Sequence, residues 1–309
     1  MAHGLQPRAL WSSGSFSVSA VHLSAGLCAF AEASVRGAES SADSGVIFAT
    51  ACDQMRRGYD ALAGRRPAGA FLFNVPATWQ SPSALKLFRS ELERLGRFLE
   101  QLGGRPPEPE ALARAIEHFT RARRQLAEAR PAFSSRQHAQ AVTYFHWTGS
   151  VRLPDKPSPP PASAVPVAIV GGPLPGPQQH VLDLVETAGA RIVLNATESG
   201  ERGLLPEIRL EAGCADPIDA LARGYLENCA DVFQRPNTRL YEWLKHRLAP
   251  RNVRGIILWH YVGCDLWRAE AEHLREAFGF PVLLIEADEV ESGSPRCAGR
   301  IEAFVEMLT

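Results

Sequence analysis

Gly255-Ile-Ile-Leu-Trp-His-Tyr-Val-Gly-Cys264-Asp265 reads as a buried strand that ends in Cys-Asp and runs straight into a helix, Leu266-Trp-Arg-Ala-Glu-Ala-Glu-His-Leu. The same grammar occurs earlier, where Gly45-Val-Ile-Phe-Ala-Thr-Ala-Cys52-Asp53 leads into Met55-Arg-Arg-Gly-Tyr-Asp60. In open α/β sheets, ligands sit beyond the carboxyl ends of parallel strands. The repeat therefore offers one thiolate from each half of the molecule, which is how a metal site between two domains could be built.

Working outward from the second copy, strands and helices alternate. Strands are expected at Val165 to Val170, Arg191 to Asn195, Gly255 to His260 and Pro281 to Glu286. Helices are expected at Gln178 to Ala188, Pro217 to Tyr225, Asn237 to Leu248, Leu266 to Phe278 and Arg300 to Leu308. Strands separated by helices of this length imply a parallel, doubly wound sheet with right-handed crossovers. Around the first copy, strands at Gly45 to Thr50 and Ala70 to Asn74 flank a helix at Gln54 to Leu62, a βαβ unit. Apolar residues three or four apart then mark two longer helices, with Leu85, Phe88, Leu92, Leu95 and Leu99 on one and Leu112, Ile116, Phe119 and Leu126 on the other. Pro82 and Pro109 start them, so a helical hairpin over about residues 81–130 is inserted in the first domain. The prolines of Leu153-Pro-Asp-Lys-Pro-Ser-Pro-Pro-Pro-Ala-Ser163 remove backbone donors and favour an extended path. The organisation expected is thus α/β with two doubly wound parallel-sheet domains, 1–153 and 164–309, joined by a linker at 154–163.

At 309 residues and 45% hydrophobic content the chain can bury a substantial core, and the length suits two domains. A net charge of −1 gives no reason to expect nucleic acid or an anionic membrane as partner. The N-terminus lacks the basic and apolar regions of a signal peptide, and no apolar run reaches about 18 residues. A cytoplasmic protein is expected. Six cysteines are too sparse for a disulfide scaffold, and no C-x2-C pair occurs, which argues against a zinc ribbon or a local ferredoxin run. Any metal site must be assembled from distant segments.

Cys52 and Cys264 lead the candidates, because packing alone does not require the same dipeptide at the same topological position twice. Cys28, in Gly26-Leu-Cys-Ala-Phe-Ala-Glu-Ala-Ser, stands where a helix would begin and where amide dipoles favour a thiolate. Cys229 reads as a helix-end position and a reserve ligand, whereas Cys214 and Cys297 read as structural residues of Gly- and Pro-containing loops. Gly171-Gly-Pro-Leu-Pro-Gly-Pro lacks the G-x-G-x-x-G spacing and reads as a tight βα turn at the rim that carries Cys264. Glu198-Ser-Gly-Glu-Arg202 follows another strand at that rim. His260 and Tyr261 could donate hydrogen bonds into the site or simply pack at the strand end. There is no G-x-S-x-G elbow, no H-E-x-x-H and no P-loop lysine motif, so if ATP is used another protein binds it.

Taken together, these segments resemble the family of 2-hydroxyacyl-CoA dehydratase and benzoyl-CoA reductase subunits, including the D-component of 2-hydroxyglutaryl-CoA dehydratase. The residues that carry the resemblance are Cys28-Ala-Phe-Ala-Glu-Ala, Thr50-Ala-Cys-Asp-Gln-Met-Arg-Arg-Gly-Tyr-Asp, Phe71-Leu-Phe-Asn-Val-Pro, Glu186-Thr-Ala-Gly-Ala and Asp216-Pro-Ile-Asp-Ala-Leu-Ala. Gly255-Ile-Ile to Cys264-Asp, Ile285-Glu-Ala-Asp and Arg300-Ile-Glu-Ala-Phe-Val-Glu-Met-Leu continue it. The resemblance implies two Rossmann-like domains and an oxygen-sensitive [4Fe–4S] cluster between them, whose ligands would be Cys28, Cys52 and Cys264. It implies ketyl-radical chemistry on an acyl-CoA substrate, either dehydration by a lyase or reduction by an oxidoreductase. It further implies electrons from an ATP-dependent activator ATPase and a dimer with itself or a related subunit. Two alternatives stay open: a homodimeric small-molecule reductase with a double-cubane cluster, and a non-catalytic partner or scaffold subunit. Met1 to Leu23 lacks the Pro-Glu turn and Ala-Ala-Gly stretch common in the family, so the resemblance bears on cluster binding more than on turnover. No catalytic base is assigned among His180, His260 and Glu198.

Overall fold

The computed structural model describes residues 2–10, 26–66, 69–210, 216–287 and 294–309. Its first half runs α1 (Ala29–Ser40), β1 (Val46–Ala49), α2 (Asp53–Ala63), β2 (Ala70–Phe73), α3 (Pro82–Gln101), α4 (Pro109–Ala129) and α5 (Ser135–Thr148). Beyond the exposed proline-rich stretch come β3 (Val165–Gly171), α6 (His180–Thr187), β4 (Ala190–Ala196), α7 (Pro217–Asn228), α8 (Thr238–Leu248), β5 (Gly255–Tyr261), α9 (Asp265–Phe278), β6 (Val282–Ala287) and α10 (Pro295–Leu308).

Two parallel sheets form the cores. β1 pairs with β2, and the larger sheet has the order β4-β3-β5-β6, all parallel. All seven residues of β5 are buried, as befits a central strand covered on both faces. On one face Val181, Leu182 and Val185 of α6 and Ile301, Phe304 and Val305 of α10 pack against Ile257 and Trp259. On the other, Leu240, Leu244 and Leu248 of α8 and Trp267 and Leu274 of α9 pack against Ile256 and Leu258. Each such fully buried Leu or Ile contributes about 1.5–3 kcal/mol. Helices on both faces of a parallel sheet make the fold mixed α/β and doubly wound.

The strand order reverses direction between β3 and β5, so the crevice beyond their carboxyl ends is the topological switch point where such sheets take ligands. Helix α1 belongs by sequence to the first half, yet its Ala29 and Ala33 are buried in the core of the large sheet, together with Tyr261 and Ile301. Helix α1 thus joins the two halves at the crevice. Helix α5 was not among the sequence expectations, and the closing helix begins at Pro295 rather than Arg300. Cys297 consequently lies in the first turn of α10, 4% exposed in the core, and not in a loop.

Candidate metal centre

Three thiols occupy one kind of position. Cys28, Cys52 and Cys264 are the N-cap residues of α1, α2 and α9, each with non-helical backbone dihedrals just before the first turn. Where a helix starts, the side chain of the residue before it can face the free amides of the first turn, and Cys52 and Cys264 reach that position after β1 and β5. Cys28 Sγ accepts a hydrogen bond from the Ala31 amide at 3.4 Å. Gln54, in the first turn of α2, accepts the Cys28 amide on its Oε1 at 2.8 Å, fixing the start of α1 relative to the start of α2.

The β5–α9 turn closes on the same point. The Ala29 amide donates to the Val262 carbonyl at 3.2 Å, and Gly263, with φ +78°, comes close to Cys28: a Cβ there would lie a tight 3.2 Å from Cys28 Cα and 3.3 Å from its Cβ. Cys28 and Cys264 are thereby held together across the two halves. The three thiols sense one another electrostatically, Cys52 raising the pKa of Cys28, and Cys28 and Cys52 raising that of Cys264. Burial is the larger cause. It pushes Cys28 up to about 11 and Cys264 up to about 12, and raises Cys52, against the pull of the helix amides. Burial therefore outweighs the helix dipole and disfavours the thiolate at all three.

A buried ion network forms the adjoining wall. Arg202, with its side chain 4% exposed, pairs with Glu198 and Asp231 and donates to the carbonyls of Ala196 at 2.9 Å and Gly171 at 2.6 Å. Its guanidinium carbon lies 4.8 Å from the centre of the Trp267 ring. It thus ties together the ends of β3 and β4 and the start of α9. Two carboxylates share one guanidinium, and Glu198 Oε2 is buried with no hydrogen-bond partner. Desolvation, with Asp231 adding to it, raises the Glu198 pKa against the pull of Arg202. Asp231 also raises the pKa values of Cys52 and Cys264, which places this negative charge beside the thiols.

The remaining candidates separate from this group. Cys229 ends α7 and is pushed up to about 12, first by burial and then by Asp231; it sits beside the ion network rather than at a helix N-terminus. Cys214 lies outside the described residues. Tyr261 donates its hydroxyl to the Pro173 carbonyl at 2.8 Å, so it offers no donor to the thiols. His260 is buried, its Nδ1 3.1 Å from the Tyr261 carbonyl, and burial lowers its pKa. His180 is the first residue of α6. Sequence reading did not foresee that Arg202 and Asp231 would meet, because no local pattern joins residues 29 apart.

The family model for the D-component of 2-hydroxyglutaryl-CoA dehydratase matches residues 1–308. The chain belongs to this family. It is also 24% identical over 297 residues to YjiM of Escherichia coli (strain K12), provisionally named as a dehydratase subunit, with 85% of this chain and 74% of that protein covered. The family member described here is thus a dehydratase-like subunit. Among its described residues no helix is long and apolar enough to cross a membrane.

Proposed function

We propose that this family member is the cluster-bearing subunit of a 2-hydroxyacyl-CoA dehydratase-type enzyme, with Cys28, Cys52 and Cys264 as the protein ligands of a [4Fe–4S] cluster. The carrying observation is that three N-cap thiols, two from the first half and one from the second, lie within electrostatic reach of one another, with Cys28 packed on the turn that follows the central strand of the large sheet. The donor set fits such a group: it is all sulfur, the ligand type that holds iron–sulfur clusters. Among the described residues no three His, Cys, Asp or Glu side chains converge tightly enough for a single metal ion, and a cluster spreads its ligands more widely than one ion does.

Bound there, the cluster would supply one-electron transfer and, with only three protein ligands, Lewis acidity at a fourth iron position. The chain's own residues would do the rest. Gln54 and Gly263 hold Cys28 against the β5–α9 turn. Phe30, in the helix that Cys28 caps, packs on Tyr261, three residues before Cys264, with ring centres 5.5 Å apart. Arg202, paired with Glu198 and Asp231, fixes the ends of β3 and β4 against the start of α9. Acyl-CoA as substrate, a related subunit or second copy as partner, and an ATP-dependent activator as electron source belong to this reading.

Anaerobic purification with iron and acid-labile sulfide analysis tests it. Cys28→Ser, Cys52→Ser and Cys264→Ser should each lower iron and sulfide per chain, whereas Cys229→Ser and Cys297→Ala should retain the wild-type content. A colourless, iron-free wild-type protein, or equal iron in all five variants, refutes the assignment.

A further inference from the structure

A cavity apart from the thiols contains an arginine that no carboxylate pairs with among the described residues. It encloses about 780 Å³ between the N-terminal strap, α1, α3 and α4, a volume typical of small-molecule sites. Its walls are apolar, with Phe30, Phe98, Ile116, Phe119, Ile208 and Leu221 prominent. Two cations line it. Arg8 is satisfied by Asp43, which it grips through Nε and Nη2 at 2.8–3.3 Å.

Arg123 of α4 is different. It is 9% exposed, and no carboxylate pairs with it among the described residues. Its one hydrogen bond runs from Nη2 to Tyr225 Oη at 2.7 Å, and its Nε is buried with no acceptor at all. The rings of Phe119 and Tyr225, at 6.0 and 5.5 Å, give it only their π faces. A buried guanidinium is costly unless it is paired and hydrogen-bonded, and its planar fork matches a carboxylate in bidentate fashion.

We propose that this cavity is a binding site for a medium-chain carboxylate, its head group on Arg123 and its hydrocarbon tail among the aromatic and aliphatic walls. One arginine without a carboxylate partner among the described residues selects a monoanion, because a phosphate dianion would leave excess charge in an apolar chamber. The apolar walls select a long hydrocarbon body over a small hydrophilic acid. A thioester or an alcohol of the same chain length fills the volume but leaves Arg123 unpaired. The site does not depend on the thiol centre, although Phe30, two residues after Cys28, both lines the cavity and packs on Tyr261.

Calorimetric titration of the wild-type chain with decanoate, decanol and inorganic phosphate tests the proposal without any mutant. Decanoate should bind at least tenfold more tightly than decanol, and phosphate should not bind. Arg123→Gln should weaken decanoate at least tenfold and leave decanol unchanged. If Arg123→Gln does not fold, Ala115→Trp, which fills the chamber from α4 and keeps the guanidinium, should abolish decanoate binding instead. Equal affinity for decanoate and decanol overturns the proposal, as do binding of phosphate in place of decanoate and full decanoate affinity in either variant.

Discussion

Replacing Gly263 with alanine should disrupt the thiol centre without touching a thiol. The perturbation has two separable parts. At φ +78° any L side chain pays a backbone penalty of about 1–2 kcal/mol relative to glycine. The new methyl also meets the Cα and Cβ of Cys28 at 3.2 and 3.3 Å, and the Cα belongs to a backbone already fixed by the Ala29 bond to Val262. Such overpacking typically costs a further 1–3 kcal/mol or so. Gly279, the C-cap of α9, supplies the control: it has φ +68° and nothing within 4 Å of the place a methyl group would take, so Gly279→Ala incurs only the first part. Urea denaturation of the reduced apoprotein should show Gly263→Ala about 1–3 kcal/mol less stable than Gly279→Ala. After anaerobic reconstitution the Gly263 variant should hold less iron per chain, while the Gly279 variant matches wild type. Equal stability losses together with equal iron would refute the claim that this turn holds Cys28 and Cys264 in register.

Two further outcomes follow from buried charge. Burial lowers the pKa of His138 and of His146 to about 4. Between about pH 6.5 and 4 the unfolded chain therefore binds the more protons, and folding stability should fall as pH drops through this window, by about 3 kcal/mol for His138 alone. The cause is concrete: His138 Nε2 donates to the Leu126 carbonyl at 2.9 Å, and a proton added at the buried Nδ1 would find no acceptor. The urea midpoint should begin to fall above pH 5, before carboxylates of ordinary pKa titrate, because two histidines outweigh the opposing effect of Glu198, whose folded-state pKa is raised; a level midpoint from pH 6.5 to 5 contradicts this. Arg202→Met should destabilise by about 3–5 kcal/mol, because it strands Glu198 and Asp231 together. Arg202→Lys should not restore the loss, since one ammonium cannot reach two carboxylates and the carbonyls of Ala196 and Gly171; a lysine variant of wild-type stability would refute the multidentate role.

Much of this architecture was legible because it is local. A short apolar run that leads to Cys-Asp announces a strand end and a helix start at Cys52 and Cys264, and Cys28, Cys52 and Cys264 are all N-caps. Helix α5 escaped because its apolar positions, Ala139, Val142 and Phe145, are interleaved with polar and aromatic residues and give a faint stripe. Its signal was instead the capping box of Ser134 and Gln137, with Gly149 as a left-handed stop. Cys297 carries a signal of the same kind, since Ser294-Pro295 is an N-cap followed by a helix-starting proline, although the glycines and proline around it read as a loop. The pairing of Arg202 with Asp231 and the isolation of Arg123 could not be read at all. Both depend on which distant segments meet, and neither side chain's local sequence records that.

The position of α1 explains why the centre needs both halves at once. Cys28 and Cys52 are already coupled within the first half by the Gln54 bond to the Cys28 amide, yet α1 buries Ala29 and Ala33 in the second half's core. The helix that presents Cys28 is therefore held in place by the sheet that presents Cys264. Each thiol stands at the positive end of a helix, which favours a thiolate, and each is buried, which disfavours it more strongly. Three such groups within electrostatic reach of one another, with the carboxylate of Asp231 beside two of them, make a volume that rejects further negative charge unless a cation enters with it. The cluster proposed for the thiols would resolve that conflict, and only where both halves are docked. This links the tight approach of Gly263 to Cys28 with the chemistry proposed for the thiols.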